Sequence, residues 1–292
     1  MAEISAKAVM SLREKTGAGM MDCKRALTDA SGDVEKAIEV LRERGLAKAG
    51  KREGRATSEG SIALAIAGSA GGMVELGCET DFVARTDDFI GIADALAGAV
   101  AADTSLGSPQ ALLEAQLGGE KARDTIAAAI ARLGENIELK RVVRVEVEKG
   151  VIGGYVHAGG KLGVLVGIAT SESDAAVEHL AKDIAMHVAA ADPTPVSVSR
   201  DGVSPELLEK EREIYRTQAI QEGKPEKVID RIVDGKLAKF VSEICLIDQA
   251  FVKDPDRTVG QLLADQGGAT VTAFERFRLG QSDAGDEEDA EG

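Results

Sequence analysis

Apolar residues at helical spacing predict a small helical module over residues 1–50. Ile4, Val9 and Leu12 lie on one face of a first predicted helix, which the sequence "TGAG" ends. A second helix is predicted in "MMDCKRALTDA", and a third in "DVEKAIEVLRERG", with Gly45 as its end. The next stretch, "AKAGKREGRATSEG", has no apolar period and is rich in Gly, Lys and Arg, so it is predicted to be a linker.

Strand-like segments then occur twice in the same order. "SIALAIA" and "MVELGCE" flank the turn "GSAGG", and "VIGGYVH" and "LGVLVGIAT" flank "AGGK". Each pair of strands is followed by a polar connection and a helix. Two Ala-rich helices and the strand "ELKRVVRVEVE" lie between the two pairs. This order predicts an internally duplicated α+β core of antiparallel strands, with a first half at 56–140 and a second half at 141–200.

The helical pattern returns over residues 204–245, where "GKP" at 223–225 separates two arms. We predict a helical hairpin inserted in the core, whose apolar contacts are Leu208, Ile214 and Tyr215 on one arm and Ile232, Leu237, Phe240 and Ile244 on the other. Residues 246–280 return to the core with a helix, "TVGQLLADQG", and a strand, "TVTAFERFRLG". The fold class predicted for the whole chain is therefore α+β.

Composition and charge limit the function. The chain has 292 residues, of which 44% are hydrophobic, and a net charge of −15. Phosphate binding needs a basic surface, so nucleic acid is not expected to be a direct partner. Part of the negative charge lies in residues 281–292, which are predicted to be an acidic, disordered tail because they contain too little apolar surface to fold.

Cysteine usage and hydropathy indicate the compartment. Cys23, Cys78 and Cys245 are far apart and odd in number, which disfavours a disulfide scaffold. No segment has the ~20 apolar residues of a membrane span, and the N-terminus has no apolar signal region. The expectation is a reduced, soluble, cytoplasmic protein with no membrane partner.

Motifs for enzymatic chemistry are weak. "GLAKAGKR", from Gly45 to Arg52, has the glycine spacing of a phosphate loop, but Arg52 replaces the Ser or Thr and a helix precedes it. His157, His179 and His187 lie at no metal-ligand spacing with Cys or acidic residues. No catalytic arrangement can be assembled, so the prediction is a protein that is not an enzyme and has no cofactor and no metal.

Two sequences place apolar side chains where a core does not need them. In "ETDFVAR", Phe82 follows Asp81 in a connection, and the duplicated half has Glu172 near the equivalent place. Met20 and Met21 begin a helix after a glycine-rich turn, where flexible side chains can contact a partner. For each of these residues, packing in a core remains the alternative.

Several of these segments together resemble the bacterial elongation factor Ts family. "TGAGMMDCKRAL", "CETDFVAR", "IAMHVAA", "GKP", "TVGQLL" and "VTAFERFRLG" match in the family's order and cover nearly the whole chain except the acidic tail. The resemblance implies a guanine nucleotide exchange factor for elongation factor Tu that binds both the GDP-bound and the nucleotide-free partner. It also implies that the N-terminal module is similar to ubiquitin-associated domains.

The resemblance further implies which residues bind the partner. Asp81 and Phe82, with Thr80 and Val83 of the same motif, would enter the GTPase domain near its Mg²⁺ and phosphate site. His157, at the tip of the second strand pair, would approach the same domain. The helix that begins at Met20 would also contact the GTPase, through Met20, Met21 and Lys24.

Three questions stay open at this point. The chain could instead be an adaptor that uses its N-terminal module to bind a peptide or a ubiquitin-like partner without exchange activity. It could also be a nucleotide-binding enzyme built on "GLAKAGKR". Finally, the sequence leaves open whether the chain forms a homodimer or a dimer of heterodimers, and whether the helical hairpin takes part.

Overall fold

The computed structural model describes residues 4–171 and 175–281. In these residues the α-helices are α1 (Ala6–Thr16), α2 (Met20–Asp29), α3 (Val34–Gly50), α4 (Asp81–Ala84), α5 (Asp87–Ala102), α6 (Pro109–Glu114), α7 (Ala122–Leu133), α8 (Ala175–Ala190), α9 (Pro205–Gln221), α10 (Glu226–Ile244) and α11 (Val259–Asp265). The strands are β1 (Glu59–Ala67), β2 (Ala70–Cys78), β3 (Gln116–Leu117), β4 (Glu120–Lys121), β5 (Ile137–Glu146), β6 (Gly150–Val156), β7 (Leu162–Ala169), β8 (Ala250–Phe251), β9 (Asp254–Thr258) and β10 (Thr270–Arg278).

The predicted N-terminal module is present and consists of α1, α2 and α3. Leu12, Cys23 and Leu27 are completely buried where the three helices meet. The side chain of Ser5 caps α1, and that of Asp33 caps α3 by accepting a hydrogen bond from the Lys36 N–H. These caps and the apolar stripe explain why three short helices form a stable unit.

The predicted end of the third helix at Gly45 is wrong, because α3 continues to Gly50. Gly45 is buried and faces α7, where a Cβ atom would lie 3.6 Å from the Cβ of Ala131. The glycine therefore allows two helices to approach closely and does not act as a stop signal. As a result, the predicted linker begins with a further helical turn that fixes the module to the core.

Two three-stranded antiparallel sheets form the core, with the orders β1-β2-β5 and β6-β7-β10. In each sheet a hairpin is completed by a third strand that pairs with the second strand of that hairpin. The duplication predicted from the sequence is therefore present in the topology. The proposed boundary at 140/141 falls inside β5, which belongs entirely to the first sheet.

The first hairpin turn is shorter than predicted. Ala70, Gly71 and Gly72 of "GSAGG" belong to β2, and Ala67 pairs with Ala70 across a two-residue turn. Gly72 lies in a strand because α5 passes directly over it, so that a Cβ atom there would be 2.4 Å from the Ala97 carbonyl oxygen. Glycine runs therefore do not always mark turns.

The core has four layers, with helices on the outer face of each sheet. Ile62, Met73 and Leu165 lie between the two sheets. Helices α5 and α7 cover the first sheet, where Phe89 is completely buried. Helices α8 and α11 cover the second sheet, where Ile184 is completely buried. The connections between these layers carry the exposed features described below.

The predicted helical hairpin is formed by α9 and α10. Tyr215 and Phe240 contact each other edge to face, with ring centroids 6.5 Å apart. Ile232 is partly buried and Leu237 and Ile244 are buried as expected, whereas Ile214 is 39% exposed and makes no core contact. The hairpin thus has its own narrow core. It joins the second half at Cys245, whose backbone forms an isolated parallel β-bridge with Ser197.

Two short strand pairs complete the secondary structure of the described residues. The short strand pairs β3–β4 and β8–β9 were not predicted, since each contains a strand of only two residues. The predicted acidic tail, apart from Gln281, and the connection that contains Glu172 lie outside the described residues. No helix in the described residues is long and apolar enough to cross a membrane.

Candidate functional site

The "TDFVA" segment forms α4, a helix of only four residues. Thr80 is its N-cap, and the Thr80 hydroxyl oxygen accepts a hydrogen bond from the Val83 N–H at 3.5 Å. A helix this short is not stable by itself in water. Its conformation must therefore be held by contacts with the rest of the protein.

The inner face of α4 is held by the core. Val83 and Ala84 are 9% and 8% exposed and pack in the core of the first half. The Thr86 hydroxyl donates to the Val83 carbonyl oxygen at 2.8 Å and caps α5 by accepting from the Phe89 N–H. Val83, expected at the partner surface from the resemblance, is thus a buried anchor of the motif.

The outer face of α4 carries Phe82 and Asp81. Phe82 is 81% exposed, more than any other large hydrophobic side chain that the structure describes. Asp81 forms an exposed ion pair with Arg85 at 2.9 Å. An aromatic ring held in water on a fixed backbone has no packing role in this chain, so the core alternative for Phe82 is excluded.

The loop after α7 holds the start of the motif from the side. Glu135 accepts two hydrogen bonds from Thr80, one from its N–H at 2.9 Å and one from its hydroxyl at 2.6 Å. The Asn136 N–H donates to Glu79 at 2.7 Å and, together with Arg55, lowers the pKa of that carboxyl group. Glu135 could not be identified from the sequence, because only the fold brings a residue so distant along the chain to Thr80.

Cys78 lies beneath the motif and is completely buried. Its thiol donates to the Thr80 carbonyl oxygen at 3.1 Å. Burial, with the nearby charge of Glu135, raises the pKa of the thiol to about 11. The thiol is therefore neutral near pH 7 and is part of the packing under α4, where it cannot act as a nucleophile.

His157 follows β6 at the tip of the second hairpin and is exposed. The hydroxyl of Tyr155 is hydrogen-bonded to its Nδ1 atom at 2.8 Å. The tip also contacts the first sheet, because Lys161 forms an ion pair with Glu59 at 2.9 Å. Since Glu59 pairs with Cys78 in the sheet, the structure places the His157 tip and α4 at the same end of β1.

Met20 and Met21 at the start of α2 are 47% and 64% exposed, and Lys24 is exposed one turn later. Met20 lines an open cleft of about 590 Å³ with Met10, which is 53% exposed and was not predicted. Met10 directly follows the buried Val9 on α1 and therefore lies outside the buried apolar stripe of that helix. An apolar residue outside this stripe is the feature of the sequence that could have identified Met10. Met10, Met20 and Met21, called the methionine surface below, are thus exposed apolar side chains of the module, and Met10 and Met20 line a cleft whose other lining residues are mostly charged.

This methionine surface is close to the first turn of α5. The cleft is also lined by Asp88 and Arg132, which are hydrogen-bonded to each other at 2.8 Å. Asp88 lies in the first turn of α5, two residues after the Thr86 cap that contacts α4. The candidate site therefore consists of α4, the His157 tip and the methionine surface.

The glycine-rich segments near the N-terminus have structural roles. The first six residues of "GLAKAGKR" are helical and belong to α3, so they do not form a phosphate loop. Gly17 is the left-handed C-cap of α1, and Gly19 is the N-cap of α2. Within residues 4–171 and 175–281, no group of three or more His, Cys, Asp or Glu side chains is arranged to hold a metal ion.

The fold and site define a class of protein, a duplicated α+β core with an N-terminal helical module and several exposed apolar side chains. Comparison with known proteins gives the family. The family model described as "Elongation factor TS" matches residues 79–281. Two curated relatives from Clostridium botulinum are named "Elongation factor Ts". The protein of strain Alaska E43 is 46% identical over 286 residues, which cover 95% of this chain and 93% of the relative.

The second relative, from strain ATCC 19397, is 47% identical over 296 residues, which cover 98% of this chain and 95% of the relative. The matches extend beyond the family model and include the N-terminal module. The chain belongs to the elongation factor Ts family, and it is a translation elongation factor.

Proposed function

We propose that the chain is a guanine nucleotide exchange factor that binds elongation factor Tu and promotes the release of GDP. The observation that carries the proposal is the geometry of α4. This helix holds Phe82 81% exposed beside Asp81 on a backbone that is fixed on its inner face and at its start. Such a side chain can enter another protein without first becoming ordered, which lowers the entropic cost of binding.

The energetics of exchange require more than Phe82. Factor and nucleotide each weaken the other's binding to the GTPase by the same factor. A 10⁴-fold weakening needs about 5.5 kcal/mol of differential interaction, whereas burying one Phe side chain contributes roughly 1.5–3 kcal/mol. Additional contacts must therefore stabilise the distorted partner, and we assign this role to Met20, Met21, Lys24 and His157.

In this mechanism the Phe82 ring displaces residues of the GTPase near its Mg²⁺ and phosphate site. The Asp81 carboxylate acts close to the residues that surround the metal. Thr80 positions both residues. No covalent bond forms or breaks, so the factor is not an enzyme and uses no cofactor of its own. It binds the GDP-bound and nucleotide-free forms of the partner in the cytoplasm, where translation takes place, and does not bind nucleic acid directly.

One experiment separates this proposal from its alternatives. The protein is mixed with elongation factor Tu bound to fluorescent GDP and, separately, with free fluorescent GDP. Faster release of GDP from elongation factor Tu supports exchange. A complex without faster release would instead support an adaptor, and binding of free nucleotide by this chain would support a nucleotide-binding enzyme. Either of the last two results, without accelerated release, contradicts the proposal.

A further inference from the structure

We infer that Glu135 is a positioning residue that holds Phe82 in its exposed orientation. Glu135 follows Gly134, the left-handed C-cap of α7, so the end of this helix directs the Glu135 side chain toward α4. Both carboxylate oxygens accept hydrogen bonds from Thr80, at 2.9 Å and 2.6 Å. The inference rests on the proposed function, because positioning Phe82 matters only if Phe82 acts on a partner.

Every polar group of Thr80 has a partner in this arrangement. Its N–H and hydroxyl donate to Glu135, its hydroxyl oxygen also accepts from the Val83 N–H, and its carbonyl oxygen accepts from the Cys78 thiol. Hydrogen bonds to a carboxylate are stronger than those between neutral groups. Loss of Glu135 would remove the acceptor of two donors of Thr80, the N-cap of a four-residue helix.

Helix α7 also carries the N-terminal module, which connects Glu135 to the methionine surface. Arg42 of α3 forms an ion pair with Asp124, which is 8% exposed, and Gly45 packs against Ala131. The Arg52 guanidinium donates to the Ile130 carbonyl oxygen at 2.9 Å. The same helix thus supports the module along its length and the Phe82 motif at its end, which fixes the distance between the two contact surfaces.

Cys78 provides a test of positioning that does not involve exchange. Its buried thiol lies under Thr80, and its raised pKa makes it slow to react. In the free full-length protein, we expect Glu135→Ala to speed the labelling of Cys78 by a thiol reagent by about tenfold or more over wild type, because α4 opens more often. The charge of Glu135 also raises the Cys78 pKa, so Glu135→Ala is compared with Glu135→Gln, which removes the same charge but keeps one acceptor oxygen for Thr80. Labelling should be about threefold or more faster in Glu135→Ala than in Glu135→Gln, and equal labelling in these two variants would overturn the inference. Peptide mass spectrometry separates Cys78 from the buried Cys23 and Cys245, whose labelling should not change.

The matched control is Glu138→Ala. Glu138 lies three residues further along the chain, in β5, and its side chain accepts a hydrogen bond from Thr57 at 2.8 Å. It should leave Cys78 labelling within about twofold of wild type. Equal labelling of Cys78 in Glu135→Ala and wild type would overturn the inference. If Glu135→Ala does not fold, hydrogen exchange of the α4 amides in Glu135→Gln, which does not depend on the thiol pKa, should be faster than in wild type. Unchanged exchange would then overturn the inference.

A double-mutant cycle then tests the link to Phe82. Glu135→Ala should slow the release of fluorescent GDP from elongation factor Tu by about tenfold when Phe82 is present, and by less than twofold in the Phe82→Ala background. Equal slowing in both backgrounds would mean a general structural role and would overturn the inference. If wild type itself does not accelerate release, the proposed function fails, while the Cys78 labelling still decides whether Glu135 positions α4.

Discussion

At the scale of single residues, Phe82 combines high exposure with a fixed backbone. Its ring is 81% exposed, yet the residues on either side of it are engaged: Asp81 pairs with Arg85, and Val83 is buried. A flexible loop would lose conformational freedom on binding, at a cost of roughly 1–2 kcal/mol per residue. The helix reduces this loss, so more of the energy gained by burying Phe82 is available to disturb the partner.

His157 and His187 differ in burial, and the hydrogen bonds of the buried ring define its protonation. His157 is exposed, whereas His187 is 1% exposed beside Gln249. The Gln249 amide nitrogen donates to two carbonyl oxygens, so its Oε1 atom must accept from His187 Nε2, 2.9 Å away. His187 Nδ1 accepts from the Val252 N–H at 3.2 Å. The buried ring is therefore neutral, and burial lowers its pKa.

We predict that this histidine makes the protein less stable in mild acid. Its pKa is lower in the folded than in the unfolded state, so the unfolded chain binds a proton first as the pH falls below about 6.5. The stabilising contribution is thus present above about pH 6.5 and is lost as the pH falls toward the lowered pKa. Urea unfolding at pH 7.5 and pH 5.5 measures the loss.

The control for this prediction uses two substitutions. His187→Gln removes the titrating group and should reduce the difference in unfolding free energy between the two pH values, whereas His179→Gln changes an exposed histidine and should not. The same pH dependence in wild type and His187→Gln would contradict the assignment.

Some features of the candidate site could be predicted from the sequence and others could not. The exposure of Phe82 could be anticipated, since the duplicated half has no aromatic residue near the equivalent place. The burial of Val83 and the role of Glu135 could not. Both depend on how α7 and the first sheet meet, and contacts between distant segments leave no periodic signal in a single sequence.

At the scale of elements, periodicity was most informative where a helix covers a sheet. The helix predicted after the first pair of strands is α5, whose buried apolar residues face the first sheet. Glycine was the weakest signal. Gly45 and Gly72 looked like a helix end and part of a turn, but each allows a close approach between packed elements. A single sequence does not distinguish these uses of glycine.

The packing of α3 on α7 gives a prediction at this scale. A Cβ atom at Gly45 would make ordinary contacts, so Gly45→Ala should be tolerated and should stabilise the helix by up to about 1 kcal/mol. Gly45→Leu should instead force α3 away from α7 and cost about 1–3 kcal/mol. The midpoints of urea unfolding measure both effects.

Gly50 offers the matched control, since it lies in the same helix with no atom near the position of its Cβ. Gly50→Leu should therefore not destabilise the protein. If Gly45→Leu is no more destabilising than Gly50→Leu, α3 does not depend on close packing against α7.

At the scale of the whole molecule, the fold places the candidate contact residues on a common support. Glu59, at the start of β1, pairs with Cys78 below α4 and contacts Lys161 in the hairpin tip. The N-terminal module adds its methionine surface beside α5. The sequence predicted these parts separately, and the resemblance implied that they bind the same partner. Their relative positions could be obtained only from the structure.

This placement predicts different effects for the methionine surface and for Phe82. Met20→Ala combined with Met21→Ala should raise by about tenfold the concentration of factor needed for half-maximal GDP release, because apolar contact area is lost. The rate at saturation should fall less than in Phe82→Ala, because Phe82 is the residue proposed to displace structure next to the nucleotide. Ile66→Ala is the control, since Ile66 is 46% exposed near the opposite end of β1. A reduced saturating rate with unchanged half-maximal concentration would contradict the docking role.

The proposed role of Phe82 in exchange is tested by the rate of GDP release from elongation factor Tu at saturating concentrations of factor. Stopped-flow fluorescence compares wild type, Phe82→Ala and the Ile66→Ala control. Because Phe82 is 81% exposed, Phe82→Ala should fold normally, yet its saturating rate should fall by about tenfold or more. A Phe82→Ala variant that reaches the wild-type saturating rate would contradict the account.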